Sequence, residues 1–143
     1  MDRLFLDANV LFSAAYREDA GVRKLWDLRE AELVTSAYAV EEARRNLDTG
    51  ERRSDLGGLL EAVRVSNLLA DPTAFPEIEA SGLPEKDLPI LRAAVASGAT
   101  YLVTGDRKHF GDLLAEEVAG VLVLRPAELL AMRTEKPRDD APG

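Results

Sequence analysis

The sequence contains no cysteine and a single histidine, His109. The first absence excludes disulfides, iron–sulfur clusters and thiolate zinc centres, and the second excludes any metal site built on several imidazoles. No apolar run approaches the roughly 20 residues that span a bilayer. The stretch Met1-Asp2-Arg3-Leu4-Phe5-Leu6-Asp7 meets a carboxylate after three apolar residues, too few for a signal-peptide core. A cytoplasmic protein without a membrane segment is the expectation. Positive charge is also scarce: 18 basic against 26 acidic residues leave a net charge of −8. That balance ordinarily disfavours nucleic acid, because non-specific binding is driven by phosphate neutralisation.

What the chain does hold is the material for one core. Its 143 residues suit a single domain, and 46% hydrophobic with 31% charged residues is a globular composition. Arg3-Leu4-Phe5-Leu6 reads as a strand, after which Val10, Leu11, Ala14 and Ala15 recur at helical spacing. Val22, Leu25, Trp26 and Arg29 predict a second helix over 20–29, and 32–35 a second strand. Ser36 is placed to cap a helix over 37–47, because its hydroxyl can serve the unpaired amides of a first turn. Residues 48–53 read as a polar loop, followed by a helix capped by Ser54 or Asp55 and running to about 63, then a short strand over 65–69. Prolines at 72, 76 and 84 make 71–84 an irregular connection. A helix over 86–97 stops at Gly98, strands follow at 101–104 and 121–124, and Pro126 opens a last helix. Residues 1–134 form the expected domain, and the polar, proline-containing stretch 135–143 a mobile tail. Alternating helices and short apolar strands imply a three-layer α/β/α fold with a central parallel sheet. In such sheets ligands bind outside the carboxyl ends of the strands, where Asp7 and Asp106 fall.

With sulfur and imidazole clusters excluded, a metal here must take carboxylate oxygens, which suit Mg²⁺ or Mn²⁺, with Ca²⁺ possible in principle. Asp87 lies on the helix face of Leu91, Ala94 and Val95, so its carboxylate points inward. The competing reading is a helix cap, as it is for Asp7, and Asp106 also suits an ordinary turn. Glu41 and Glu42 each lie about a third of a turn off the apolar stripe of Val40, Ala43 and Leu47, so periodicity does not choose between them.

The segments Leu4-Phe5-Leu6-Asp7-Ala8-Asn9-Val10-Leu11, Val34-Thr35-Ser36 followed by Glu41-Glu42, Asp87-Leu88-Pro89-Ile90-Leu91, and Leu102-Val103-Thr104-Gly105-Asp106-Arg107-Lys108-His109-Phe110 resemble, in order and spacing, a PIN-domain nuclease, especially the VapC-like toxins. The resemblance covers residues 3 to about 125 and departs from the commonest pattern in Ala8, where threonine or serine is frequent. It implies a parallel sheet between helices, Mg²⁺- or Mn²⁺-dependent ribonuclease activity on an RNA substrate, a cognate antitoxin and a homodimer. It also implies Asp7, Glu42, Asp87 and Asp106 as the acidic site, with Asp7, Asp87 and Asp106 holding metal, Glu42 serving the attacking water, and Asn9 and Thr104 beside them.

A metal-filled acidic pocket answers the charge objection, since it attracts phosphate locally, and Arg107 and Lys108 are the candidates to guide RNA. Arg52-Arg53 reads as solvated surface. His109, alone before Phe110, reads as a packing or hydrogen-bonding residue outside the catalytic set. Two other classes compete. One is a HAD-like Mg²⁺-dependent phosphohydrolase in which Asp7 attacks phosphate and Asp106 and Asp112 hold the ion, although Asn9 stands where that motif has its second acid. The other is a catalytically silent interaction module, for which an acid should be missing and none is.

Overall fold

The computed structural model describes residues 1–71 and 73–135. The tail expected over 135–143 falls, beyond its first residue, outside the described residues. Six strands form one sheet: β1 (Asp2–Leu6), β2 (Ala31–Ser36), β3 (Val63–Ser66), β4 (Tyr101–Val103), β5 (Glu117–Val118) and β6 (Val121–Leu124), in the order β3-β2-β1-β4-β6-β5. All neighbours run parallel except β5 and β6. Leu4, Phe5 and Leu6 are buried in succession along β1, as a strand covered on both faces requires.

Seven α-helices lie among the described residues: α1 (Ala8–Tyr16), α2 (Ala37–Asn46), α3 (Gly50–Leu60), α4 (Pro76–Glu79), α5 (Leu88–Ala96), α6 (Arg107–Phe110) and α7 (Pro126–Glu135). The chain steps from β1 through α1 to β2 and through α3 to β3, then reverses through α5 to β4 on the other side of β1. Right-handed crossovers therefore put α1 and α3 on one face and α5 on the other. The reversal makes the crevice between the ends of β1 and β4 the switch point of the sheet.

Local chemistry accounts for the boundaries that the sequence predicts well. Ser36 Oγ accepts the Ala39 amide at 3.1 Å and starts α2. Gly98, after α5, adopts φ +69°, the left-handed conformation that favours glycine, and a Cβ there would lie 2.9 Å from Arg3 Nη1, which would have to shift.

Several boundaries differ. Residues Gly21–Asp27 form a 3₁₀ turn rather than the helix expected over 20–29, with no side-chain cap at Ala20 and only Leu25 fully buried. The expected loop over 48–53 is shorter: α3 starts at Gly50, capped by Thr49, whose Oγ1 accepts the Arg52 amide at 3.1 Å. Ser54 and Asp55 are interior to that helix. Because α3 ends at Leu60, β3 begins at Val63 and stops at Ser66, earlier than the strand expected over 65–69. The connection after it carries α4, with Pro76 in the first turn and Ile78 buried. The helix predicted over 86–97 begins at Leu88, after a 3₁₀ turn at Glu85–Asp87. The two-residue strand β5 is too short to show alternation in sequence. It is a hairpin partner of β6 across Ala119 (φ 51°) and Gly120 (φ 85°), the left-handed pair that matches strand twist. The sheet is thus mostly, not wholly, parallel.

Candidate active site

Asp7 sits where β1 becomes α1. Its amide donates to Val103 O at 3.0 Å, extending the β1–β4 ladder, and its Oδ1 accepts the Ala8 amide at 2.7 Å. Oδ2 accepts from Thr104 Oγ1 at 2.7 Å and from Asn9 Nδ2 at 3.1 Å. Asp7 is therefore a helix cap and a wall of the crevice at once. Thr104 is fully buried, and its hydroxyl also accepts the Asp106 amide at 3.1 Å and Asn9 Nδ2 at 3.2 Å. Its single donor and both lone pairs are thereby used. Asn9 completes the lattice by accepting the Gly105 amide at 2.8 Å. Gly105 does not adopt a left-handed φ, and a Cβ there would meet Asn9 Oδ1 at 3.4 Å, an ordinary contact, so its contribution is the amide it donates.

Burial pushes the Asp7 carboxyl up, the Thr104 and Ala8 hydrogen bonds pull it back, and the charges of Glu42 and Asp87 raise it again, leaving it near 6 against an ordinary 3.8. A carboxyl in that state is destabilised when ionised and is relieved by a nearby cation.

Asp87, at the head of α5, does not cap that helix with its side chain. The residue is 8% exposed, and its Oδ2 is buried without a hydrogen-bond partner. Burial pushes its carboxyl up, His109 and Lys86 lower it, and Asp106 raises it. Asp106 caps α6: Oδ1 accepts the amides of Lys108 and His109, each at 3.0 Å, and Oδ2 lies 2.7 Å from His109 Nδ1. Burial raises the Asp106 carboxyl, but the amide and imidazole of His109 and the Lys108 amide outweigh it, holding it below the usual range.

These groups open on a cleft of about 610 Å³ lined by Asp7, Asn9, Glu42, Lys86, Asp87 and Asp106, among others. All four predicted acids thus line one cleft. Rotation of α2 turns Glu42 into it and leaves the Glu41 side chain 57% exposed, 3.5 Å from Arg44. Arg107 and Lys108, expected to meet substrate, are exposed and do not line the cleft. The lysine that does is Lys86. Arg52 pairs with Asp48 at 2.9 Å and stacks 3.8 Å over the Tyr16 ring, a packing role.

His109 is the residue that sequence reasoning left outside the site. Its Nδ1 lies between Asp106 Oδ2 and Asp87 Oδ2, the latter at 3.4 Å. The signal was its i+3 spacing from Asp106, which puts both on one helix face. Among the described residues, ligand atoms of Asp87, Asp106 and His109 lie within 4.8 Å of one another. That tight group does not include Asp7 or Glu42. Two of the three donors are hard, anionic carboxylates, and the Asp87 oxygen lacks the hydrogen bond that a buried charge requires, so a divalent cation fits.

A model of the PIN domain family matches residues 3–108 of the chain. No curated protein matches it in sequence. Among solved structures it is similar to VapBC2 from Rickettsia felis, bound to a DNA fragment from their promoter, with 20% identity, TM-score 0.64, and 86% of this chain and 98% of that one covered. It is likewise similar to VapBC-1 from nontypeable Haemophilus influenzae, with 16% identity, TM-score 0.61 and 87% and 98% covered. A third similar structure is PAE2754 from Pyrobaculum aerophilum, with 16% identity, TM-score 0.60 and 94% and 97% covered.

Proposed function

Because the chain belongs to the PIN domain family, we propose that it is a divalent-metal-dependent endoribonuclease, the toxin of a toxin–antitoxin pair, hydrolysing RNA phosphodiester bonds in this cleft. The observation that carries the reading is Asp87, which lines a cleft with three further acids and whose Oδ2 is buried without a hydrogen bond. Similarity to structures described as VapBC complexes supports the antitoxin partner. A homodimer and a cytoplasmic location complete the proposal.

Asp87 and Asp106 would hold the ion, Mg²⁺ or Mn²⁺, with Asp7, fixed in one rotamer by Thr104 and Asn9, as the third carboxylate. When bound, the ion polarises the phosphate and makes a coordinated water more acidic. Among the described residues none bonds to the Glu42 carboxylate, which is free to take the proton of the attacking water. Lys86 draws the phosphate into an otherwise acidic cleft, and Arg107 and Lys108 extend positive charge along α6.

The HAD-like alternative needs Asp112 beside Asp106 to hold the ion, and Asp112 does not line the cleft. The test is cleavage of an RNA panel by wild type and Asp7→Asn, with Mn²⁺ and with chelator. Metal-dependent cutting by wild type alone is expected. Absence of cutting with Mn²⁺, together with growth arrest that Asp7→Asn does not relieve, would overturn the reading in favour of a silent interaction module.

A further inference from the structure

We infer that His109 is itself a ligand of the metal ion, through Nδ1 alongside Asp87 and Asp106, and that this nitrogen turns the site toward Mn²⁺ over Mg²⁺. The inference deepens the metal dependence proposed above and rests on it.

The geometry is that of a coordination triangle. Nδ1 stands 2.7 Å from Asp106 Oδ2 and 3.4 Å from Asp87 Oδ2. An ion about 2.1 Å from each ligand spaces neighbouring ligand atoms by about 3.0 Å in octahedral and about 3.4 Å in tetrahedral geometry. The observed pair of distances brackets these values. A protonated His109 donating Nδ1–H to Asp106 attracts the Asp87 carboxylate across 3.4 Å but gives it no hydrogen bond, so Asp87 Oδ2 stays buried without a donor. An ion between the three atoms satisfies all of them.

Local structure presents this face. Asp106 Oδ1 is tied to the amides of Lys108 and His109, which leaves Oδ2 for the imidazole side. As ligand, Nδ1 offers its lone pair while the neutral ring carries its proton on Nε2. Oxygen donors suit Mg²⁺, which dehydrates reluctantly, whereas an imidazole nitrogen raises affinity for first-row transition ions.

Since His109 is the only histidine in the chain, ¹⁵N-histidine labelling marks one side chain. Pulsed electron spin resonance of the Mn²⁺-loaded wild-type protein should show coupling to that ¹⁵N. Calorimetric titration of wild type and His109→Gln should show Mn²⁺ affinity falling about ten- to a hundredfold and Mg²⁺ affinity changing by less than about threefold. Tight Mn²⁺ binding without ¹⁵N coupling, or an unchanged Mn²⁺/Mg²⁺ ratio in His109→Gln, overturns the inference while leaving metal-dependent RNA cleavage standing. Failure of the wild type to bind either ion overturns both. The wild-type spectrum needs no variant, so it decides the matter even if His109→Gln does not fold.

Discussion

Replacing Asp7 by asparagine should change stability in opposite directions at the two ends of the working pH range. The folded protein holds the Asp7 carboxyl near 6, against 3.8 ordinarily. At 1.36 kcal/mol per pH unit that gap corresponds to about 3 kcal/mol. Because the folded value is the higher one, the protonated form favours folding. Its contribution is intact below about pH 3.8 and is lost as pH rises to about 6, beyond which the native state carries the full cost of a buried carboxylate. Asparagine removes that titration. It keeps an acceptor for the Ala8 amide but turns an NH₂ toward the donors of Thr104 and Asn9, losing about 1 kcal/mol at every pH. Without metal, the variant should therefore be slightly less stable than wild type at pH 4 and about 2 kcal/mol more stable at pH 8, with most of the change between pH 4 and 6. Urea denaturation in chelator at several pH values measures this directly. A difference between the two proteins that stays flat from pH 4 to 8 would refute the claim that burial and neighbouring acids strain Asp7.

Three further outcomes follow from the same geometry. Mn²⁺ or Mg²⁺ at a hundred times its dissociation constant should stabilise the wild type by about 2.7 kcal/mol, and a thermal melt of Asp106→Asn should show most of that gain gone. Gly98→Ala forces a side chain into a left-handed position against Arg3 and should cost about 1–2 kcal/mol in urea denaturation. In RNA cleavage, Glu42→Gln should lose about a hundredfold or more in rate, while Glu41→Gln, at an exposed position paired with Arg44, should stay within about threefold of wild type; equal losses would remove the assignment.

Features written in a few neighbouring residues were legible without a structure. The Ser36 cap, the Gly98 stop, the opening Pro126 and the buried run Leu4-Phe5-Leu6 all rest on local rules. The inward face of Asp87 was readable too, but its competing role as a helix cap was not resolvable until the backbone angles were known. What failed depended on tertiary contacts. Arg52 and Arg53 read as loop because their charge is visible in sequence, whereas the Tyr16 ring under Arg52 is distant in the chain and the Leu47 carbonyl that receives Arg53, though only six residues back, is placed by the turn between two helices. Glu41 and Glu42 differ only by the rotation of α2 about its axis, which the packing of Val40 and Ala43 decides. His109 required knowing that α5 brings Asp87 beside the first turn of α6.

The amides of Asp7 and Thr104 are held by Val103 O and Leu124 O in adjoining rungs of the sheet. Asp7, a wall of the cleft, and the buried Thr104 that holds it are thereby tied to the hydrogen-bonded sheet rather than to a loop that breathes. In deuterated solvent those two amides should exchange only when the whole domain opens, so their protection factors report the global unfolding free energy from the cleft wall and the residue behind it.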